Sequence, residues 1–125
     1  MNTKDPNIIA LQFNQSITDH DLYALARLMT DDHTFVESDG TIHKPKQEMV
    51  EKWRQFFEAF PNYKNTFDCV RSKDNLVMML GFAYWSEQTP HDPAIWVATI
   101  VDDLVREWRI YLDTPENRAQ LGLVQ

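Results

Sequence analysis

Between Phe60 and Lys64 the apolar residues of this chain stop recurring at helical spacing and begin to alternate with polar ones. Few features constrain a fold more, because a period of about 3.6 buries one stripe of a helix and a period of two buries one face of a strand. Upstream of the change, Ile8, Ile9, Leu11, Phe13 and Ile17 predict a first helix over 7–17, which Pro6 is well placed to open. Thr18 stands three residues before Asp21 like half of a capping box, and Leu22, Leu25, Ala26, Leu28 and Met29 continue a second helix to about Thr30. His33 to Asp39 reads as a strand, stopped by the turn pair Asp39-Gly40 and answered by a short return strand, Thr41-Ile42-His43. After Pro45, Met49, Trp53, Phe56, Phe57 and Phe60 form one apolar stripe of a third helix, which Pro61-Asn62 ends.

Downstream, 64–71, 76–87, 94–101 and 105–113 read as four strands separated by Ser-Lys-Asp-Asn, Gln-Thr-Pro-His-Asp-Pro and Asp-Asp turns. The tail over 115–121 has room for one or two helical turns. Helices first and an antiparallel meander after is the order of an α+β domain, with helices laid over one face of a curved sheet.

At 125 residues the chain is expected to form a single domain over 1–125, and 43% hydrophobic residues with only 3 Gly suffice for a packed core. Twelve Lys and Arg against 19 Asp and Glu leave a formal charge of −7, which repels phosphate backbones, and the basic residues form no cluster. Nucleic acid is therefore not an expected partner. The charge-free runs from Pro6 to Thr18 and from Asn75 to Ser86 are too short to span a bilayer, and the first seven residues hold no apolar signal core. No membrane association and a cytoplasmic location are expected. Cys69 is the single cysteine, so no internal disulfide or thiolate zinc cage can form within one chain. His20, His33, His43 and His91 are scattered without a ligand spacing, and neither a metal nor a cofactor is expected.

The strings LMTDDHTFVESDG, EMVEKWRQFFEAFPNYKN and VREWRIYLD, in this order and setting, resemble the nuclear transport factor 2-like superfamily, and within it the SnoaL-like branch. The resemblance spans roughly residues 7 to 121. It implies a cone-shaped fold: a curved antiparallel sheet with three N-terminal-half helices packed on its concave face, enclosing an apolar cavity. Relatives include ketosteroid isomerases, limonene-epoxide hydrolases, polyketide cyclases and scytalone dehydratases, so the fold alone does not name a reaction.

Aligning Asp31-Asp32-His33-Thr34 with the corresponding run of ketosteroid isomerases puts Glu37 where those enzymes carry their proton-shuttling Asp. A carboxylate in an apolar cavity is a suitable proton relay, because desolvation moves its pKa toward neutrality. The family's oxyanion donors have no counterpart: their Tyr falls near Phe13, and their later Asp near Trp96 or Val97. The catalytic Asp of the epoxide hydrolases falls on Ile110, and their Arg and Asp fall near Gly81 and Ala83, so that water-activating set is absent too.

Strand parity places Val77, Met79, Gly81, Ala83 and Trp85 on the inner face with Trp108, Ile110 and Leu112, small residues at mid-strand leaving room for a ligand. The opposite face, with Met78, Leu80, Phe82 and Tyr84, then needs a cover, and a homodimer through it is expected, as the resemblance also implies. The candidate catalytic residues are Glu37 and His33. The candidate ligand contacts are Phe13, Phe35, Trp53, Phe57, Met79, Trp85, Trp108, Ile110 and Leu112. Against these stand plainer roles: Glu37 as a rim carboxylate paired to Arg109 or Lys46, Arg109 paired with Asp113, and the tryptophans as core. Two classes of function stay open. One is a cofactor-independent isomerase, cyclase or lyase acting on a small hydrophobic molecule through Glu37; the other is a non-catalytic ligand-binding or dimerisation module.

Overall fold

Asp5 accepts a hydrogen bond from the Asn7 amide at 2.9 Å and Pro6 occupies the first turn, so α1 (Pro6–Thr18) begins where a proline needs no donor. The structure, a computed structural model, describes residues 5–86 and 91–123. Thr18 closes α1 rather than capping the next helix. That role falls to Asp21, which takes the Ala24 amide at 3.0 Å and starts α2 (Leu22–Arg27). This helix is shorter than its periodicity suggests, because Leu28 and Met29 are drawn into the sheet: the Val105 amide donates to the Leu28 carbonyl at 2.6 Å, and Met29 pairs with Val105. The first strand, β1 (Met29–Val36), therefore starts earlier than expected. It is followed by β2 (Ile42–His43), α3 (Lys46–Ala59), β3 (Lys64–Lys73), β4 (Leu76–Tyr84), β5 (Asp92–Val101), β6 (Leu104–Leu112) and α4 (Pro115–Gln120). The expected end of β4 at Glu87 and the Gln88-Thr89-Pro90 part of the turn after it lie outside the described residues.

The six strands form one sheet in the order β2-β1-β6-β5-β4-β3. Strands β3 to β6 are the expected antiparallel meander. One seam departs from an all-antiparallel sheet: β1 runs parallel to β6. The cause is topological, since α3 carries the chain from the β1–β2 edge to the far edge, and four strands of meander return it beside β1. Register shifts in the β3–β4, β5–β6 and β1–β6 ladders supply the bends that curve the sheet. The β5–β6 turn holds Asp102 and Asp103 at φ of 54° and 61°, the pair of positive values that a tight hairpin of this hand requires.

On the concave side, Ile9, Phe13 and Ile17 of α1 and Met49 and Trp53 of α3 pack against Val77, Met79, Trp96, Ala98 and Trp108. Each large side chain removed from water there contributes about 1.5–3 kcal/mol. On the convex side, Met78, Leu80, Ile95, Val97 and Tyr111 form a second cluster with Leu121 and Leu123. Part of the face expected to need a partner is thus covered by the chain's own C-terminal segment.

Candidate functional site

The helices do not cover the concave face completely. Between α3, the β1–β2 hairpin and the neighbouring ends of β4, β5 and β6 lies a cavity of about 760 Å³, well within the size range that encloses a small organic molecule. Phe35, Trp53, Phe56, Trp85, Trp96 and Ile110 make its wall largely apolar. The helical stripe of α3 builds much of this surface. Phe56 stands edge-on to Trp53, Tyr63 and Trp85, with ring centroids 5.5, 4.8 and 5.6 Å away, a favourable arrangement of ring quadrupoles that braces the wall. The indole N–H groups of Trp53 and Trp96 are covered and have no hydrogen-bond partner among the described residues, so these two side chains offer the cavity ring carbon.

The polar groups are few. Glu37, Ser38, His43, Lys52, Asp92 and Asp113 line the cavity, and most of them are already committed to partners. Asp92 accepts the Trp85 indole N–H at 2.9 Å. Asp113 receives Nε and an Nη of Arg118 at 2.6 and 2.8 Å, and this bidentate hold keeps its carboxyl below the usual carboxylate range. Arg109, the partner anticipated for Asp113, instead lies 4.9 Å from the centre of the Tyr111 ring. Tyr63 is buried in the wall, and burial, opposed by a side-chain hydrogen bond with Asn65, pushes its phenol pKa up, so it stays a neutral hydroxyl.

Among the described residues, Glu37 and His43 form the one side-chain pair on this wall that joins a carboxylate to an imidazole, with Oε2 and Nε2 2.7 Å apart. Hairpin geometry produces the pair. Phe35 and His43 are directly opposite in the β1–β2 ladder, the Glu37 amide donates to the Thr41 carbonyl at 2.9 Å, and Glu37 thus lies diagonal to His43 on the same side. The turn between them closes through the Gly40 amide to the Glu37 carbonyl at 2.9 Å, with Gly40 at φ 91°, a conformation that favours glycine. The His43 ring lies over Phe35, centroids 5.9 Å apart, and Phe35 in turn meets the edge of Trp53. His43 is the more covered of the two, with its side chain 21% exposed against 47% for Glu37. Neither Arg109 nor Lys46 is Glu37's partner.

Of the candidate residues, Glu37, Phe35, Trp53, Trp85, Ile110 and Leu112 are brought together on this wall. Phe13, Met79 and Trp108 are not. They are fully buried in the core beneath it, with the Phe13 and Trp108 rings 4.7 Å apart. Phe57, about 100° further round α3 than Phe56, turns to the other side and stacks on His20 at 4.5 Å. Gly81 does not make room for a ligand either, since the space beside it is filled by the backbone of β3.

His33 is likewise outside the cavity wall. It is fully buried, its Nδ1 lies 2.7 Å from the Val105 carbonyl oxygen and so must donate, and its Nε2 has no partner among the described residues. Protonation would place a second N–H in apolar surroundings, so burial lowers its pKa from the ordinary 6.5. Below that value the unfolded chain binds a proton that the folded chain refuses. Stability is expected to fall as pH drops from about 6.5 toward 5, by up to about 1.4 kcal/mol per pH unit for one proton. Urea unfolding of the wild type and His33→Gln across this range checks it. The variant should lose most of that slope, and an unchanged slope would remove His33 as its source.

Sequence reasoning missed His43, Phe56 and Tyr63 as parts of the wall. For His43 a signal was available: it alternates with Thr41 on the return strand and is thereby diagonal to Glu37 across the Asp39-Gly40 turn.

Residues 10–108 match the family of SnoaL-like domains, whereas no curated protein matches the sequence. Among solved structures, an uncharacterized cystatin fold protein from Novosphingobium aromaticivorans superposes with a TM-score of 0.77 at 13% identity, covering 86% of this chain and 98% of that one. A candidate SnoaL-like polyketide cyclase from Shewanella putrefaciens gives 0.76 at 14% identity, covering 98% and 89%. An LEH-like epoxide hydrolase of M. tuberculosis gives 0.75 at 11% identity, covering 86% and 82%. At these identities the structural likeness is one of fold. The family match extends over most of the sequence, and the chain belongs to the family of SnoaL-like domains.

Proposed function

We propose that the chain takes a small hydrophobic carbonyl compound into this cavity and moves a proton on it without a cofactor, as an isomerase, cyclase or lyase. The observation that carries this reading is the Glu37–His43 pair at 2.7 Å on the wall of a largely apolar cavity of about 760 Å³. An apolar enclosure strengthens a charge-assisted pair and lets a weak base act on a carbon acid. The name of the Shewanella relative, a candidate polyketide cyclase, is in keeping with such a substrate. Epoxide hydrolysis is less well served, because Ile110 lines the cavity where that chemistry wants a carboxylate.

The test uses a panel of steroid- and polyketide-sized ketones in heavy water. Saturable quenching of tryptophan fluorescence is expected, together with deuterium uptake next to the ketone carbonyl that Glu37→Gln reduces at least tenfold. Quenching without uptake would leave a non-catalytic binding module. Absence of both signals would remove the proposed function.

A further inference from the structure

We infer that His43 is the group that accepts the proton in this cavity and that Glu37, although the carboxylate, positions it. The inference rests on the proposed function and divides the work of that one site.

An ionised carboxylate only accepts, so the 2.7 Å contact requires Nε2 of His43 to carry a hydrogen and donate it to Glu37 Oε2. In the neutral ring this leaves Nδ1 as the bare nitrogen with a lone pair. Nδ1 has no hydrogen-bond partner among the described residues, and His43 lines the cavity. Glu37 has one oxygen engaged by the imidazole and its side chain is nearly half exposed, so water competes for its remaining lone pairs. His43 is the more covered group and is clamped from two directions, by Glu37 on Nε2 and by the Phe35 ring across its face. A carboxylate that fixes the tautomer also stabilises the imidazolium that forms when Nδ1 takes a proton.

Charged groups of both signs surround His43. Glu37 and Asp39 lie in its own hairpin, the latter interacting with it electrostatically, while Asp92 and Asp113 from the ends of β5 and β6 line the same cavity. Lys52 of α3 opposes them as the one lysine of the wall, and Arg118 already occupies Asp113.

The experiment uses 5-nitrobenzisoxazole, a small aromatic carbon acid that reports proton removal by any suitably enclosed base. In the step assigned here, Nδ1 takes the proton from C3 and the C–H pair becomes the second π bond of a nitrile. The N–O bond breaks with its electrons on oxygen, and 2-cyano-4-nitrophenolate is released and read by its colour. The imidazolium then returns its proton to water. Wild-type protein is expected to give saturable turnover. His43→Gln should lower kcat by about 100-fold or more. Glu37→Gln should lower kcat by roughly tenfold and leave KM within about twofold, because the imidazolium formed in the step loses its counter-charge.

Loss of turnover in Glu37→Gln with retention in His43→Gln would overturn the inference, make Glu37 itself the base and leave the proposed function standing. No turnover above that of free imidazole in any form would overturn both. Nitrogen-15 NMR of the ring adds a test that needs no turnover. Nε2–H with bare Nδ1 is expected in the wild type, with mixed tautomers in Glu37→Gln, and the opposite tautomer in the wild type overturns the inference.

Discussion

Gly81→Ala is expected to cost about 3 kcal/mol or more of folding stability, although it adds only one methyl group to the middle of a strand. A Cβ at this position would overlap the Thr66 carbonyl oxygen and come within 2.8 Å of the Phe67 Cα. Both are backbone atoms of β3, next to the register shift between Phe67 and Cys69, so no rotamer change relieves the overlap. Relief requires the β3–β4 ladder to open. Ala83→Gly, two residues along the same face, is the control: it removes a methyl from the cavity wall and should cost only about 1 kcal/mol. Urea denaturation of both variants checks the contrast. A Gly81→Ala protein within 1 kcal/mol of the wild type would show that β3 yields easily and that the close approach is not a constraint.

Trp108→Ala should cost about 3–5 kcal/mol, whereas Trp85→Ala should cost about half as much and strike ligand binding instead. Strand parity assigns both side chains to the inner face, yet their surroundings differ. Trp108 is 1% exposed and packs on Phe13 at 4.7 Å, so its removal leaves a void closed in on every side. Trp85 is half-buried, meets Phe56, Phe60 and Tyr63 by its edges, and borders the cavity, so part of its contact surface already faces open space. Thermal unfolding and fluorescence quenching by a bound ketone separate the effects. Equal destabilisation by both substitutions would mean that Trp85 belongs to the core and not to a binding wall.

These contrasts mark where a sequence is legible. Val77 and Met79 are on the inner face and Met78 and Leu80 on the outer one as parity requires, because alternation along a strand is a local property of the backbone. The stripe of α3 was equally plain, since Met49, Trp53 and Phe56 follow one helical face. The parallel seam between β1 and β6 was not legible, for it depends on which edge the chain returns to after the meander. The end of α2 was misplaced for a related reason: helical spacing continues through Leu28 and Met29, but hydrogen bonding and pairing to Val105 outweigh a weak local preference.

The candidate site shows the same division at the scale of single side chains. Alternation and helical spacing by themselves determined the elements, their apolar faces and the turn at Asp39-Gly40, all consequences of local geometry. Together with the motif resemblance they also marked Glu37 on β1's approach to that turn. Only the tertiary structure decided which apolar residues line empty space and which are packed through: Trp53 and Trp108 are both candidate ligand contacts in the sequence, but Trp53 borders the cavity whereas Trp108 is packed under Phe13 of α1. Only the tertiary structure, likewise, removed His33 to the core and brought His43 to Glu37. A hydrogen bond of 2.7 Å requires two side chains to meet, and where side chains six residues apart meet is settled by the register of the strands that carry them.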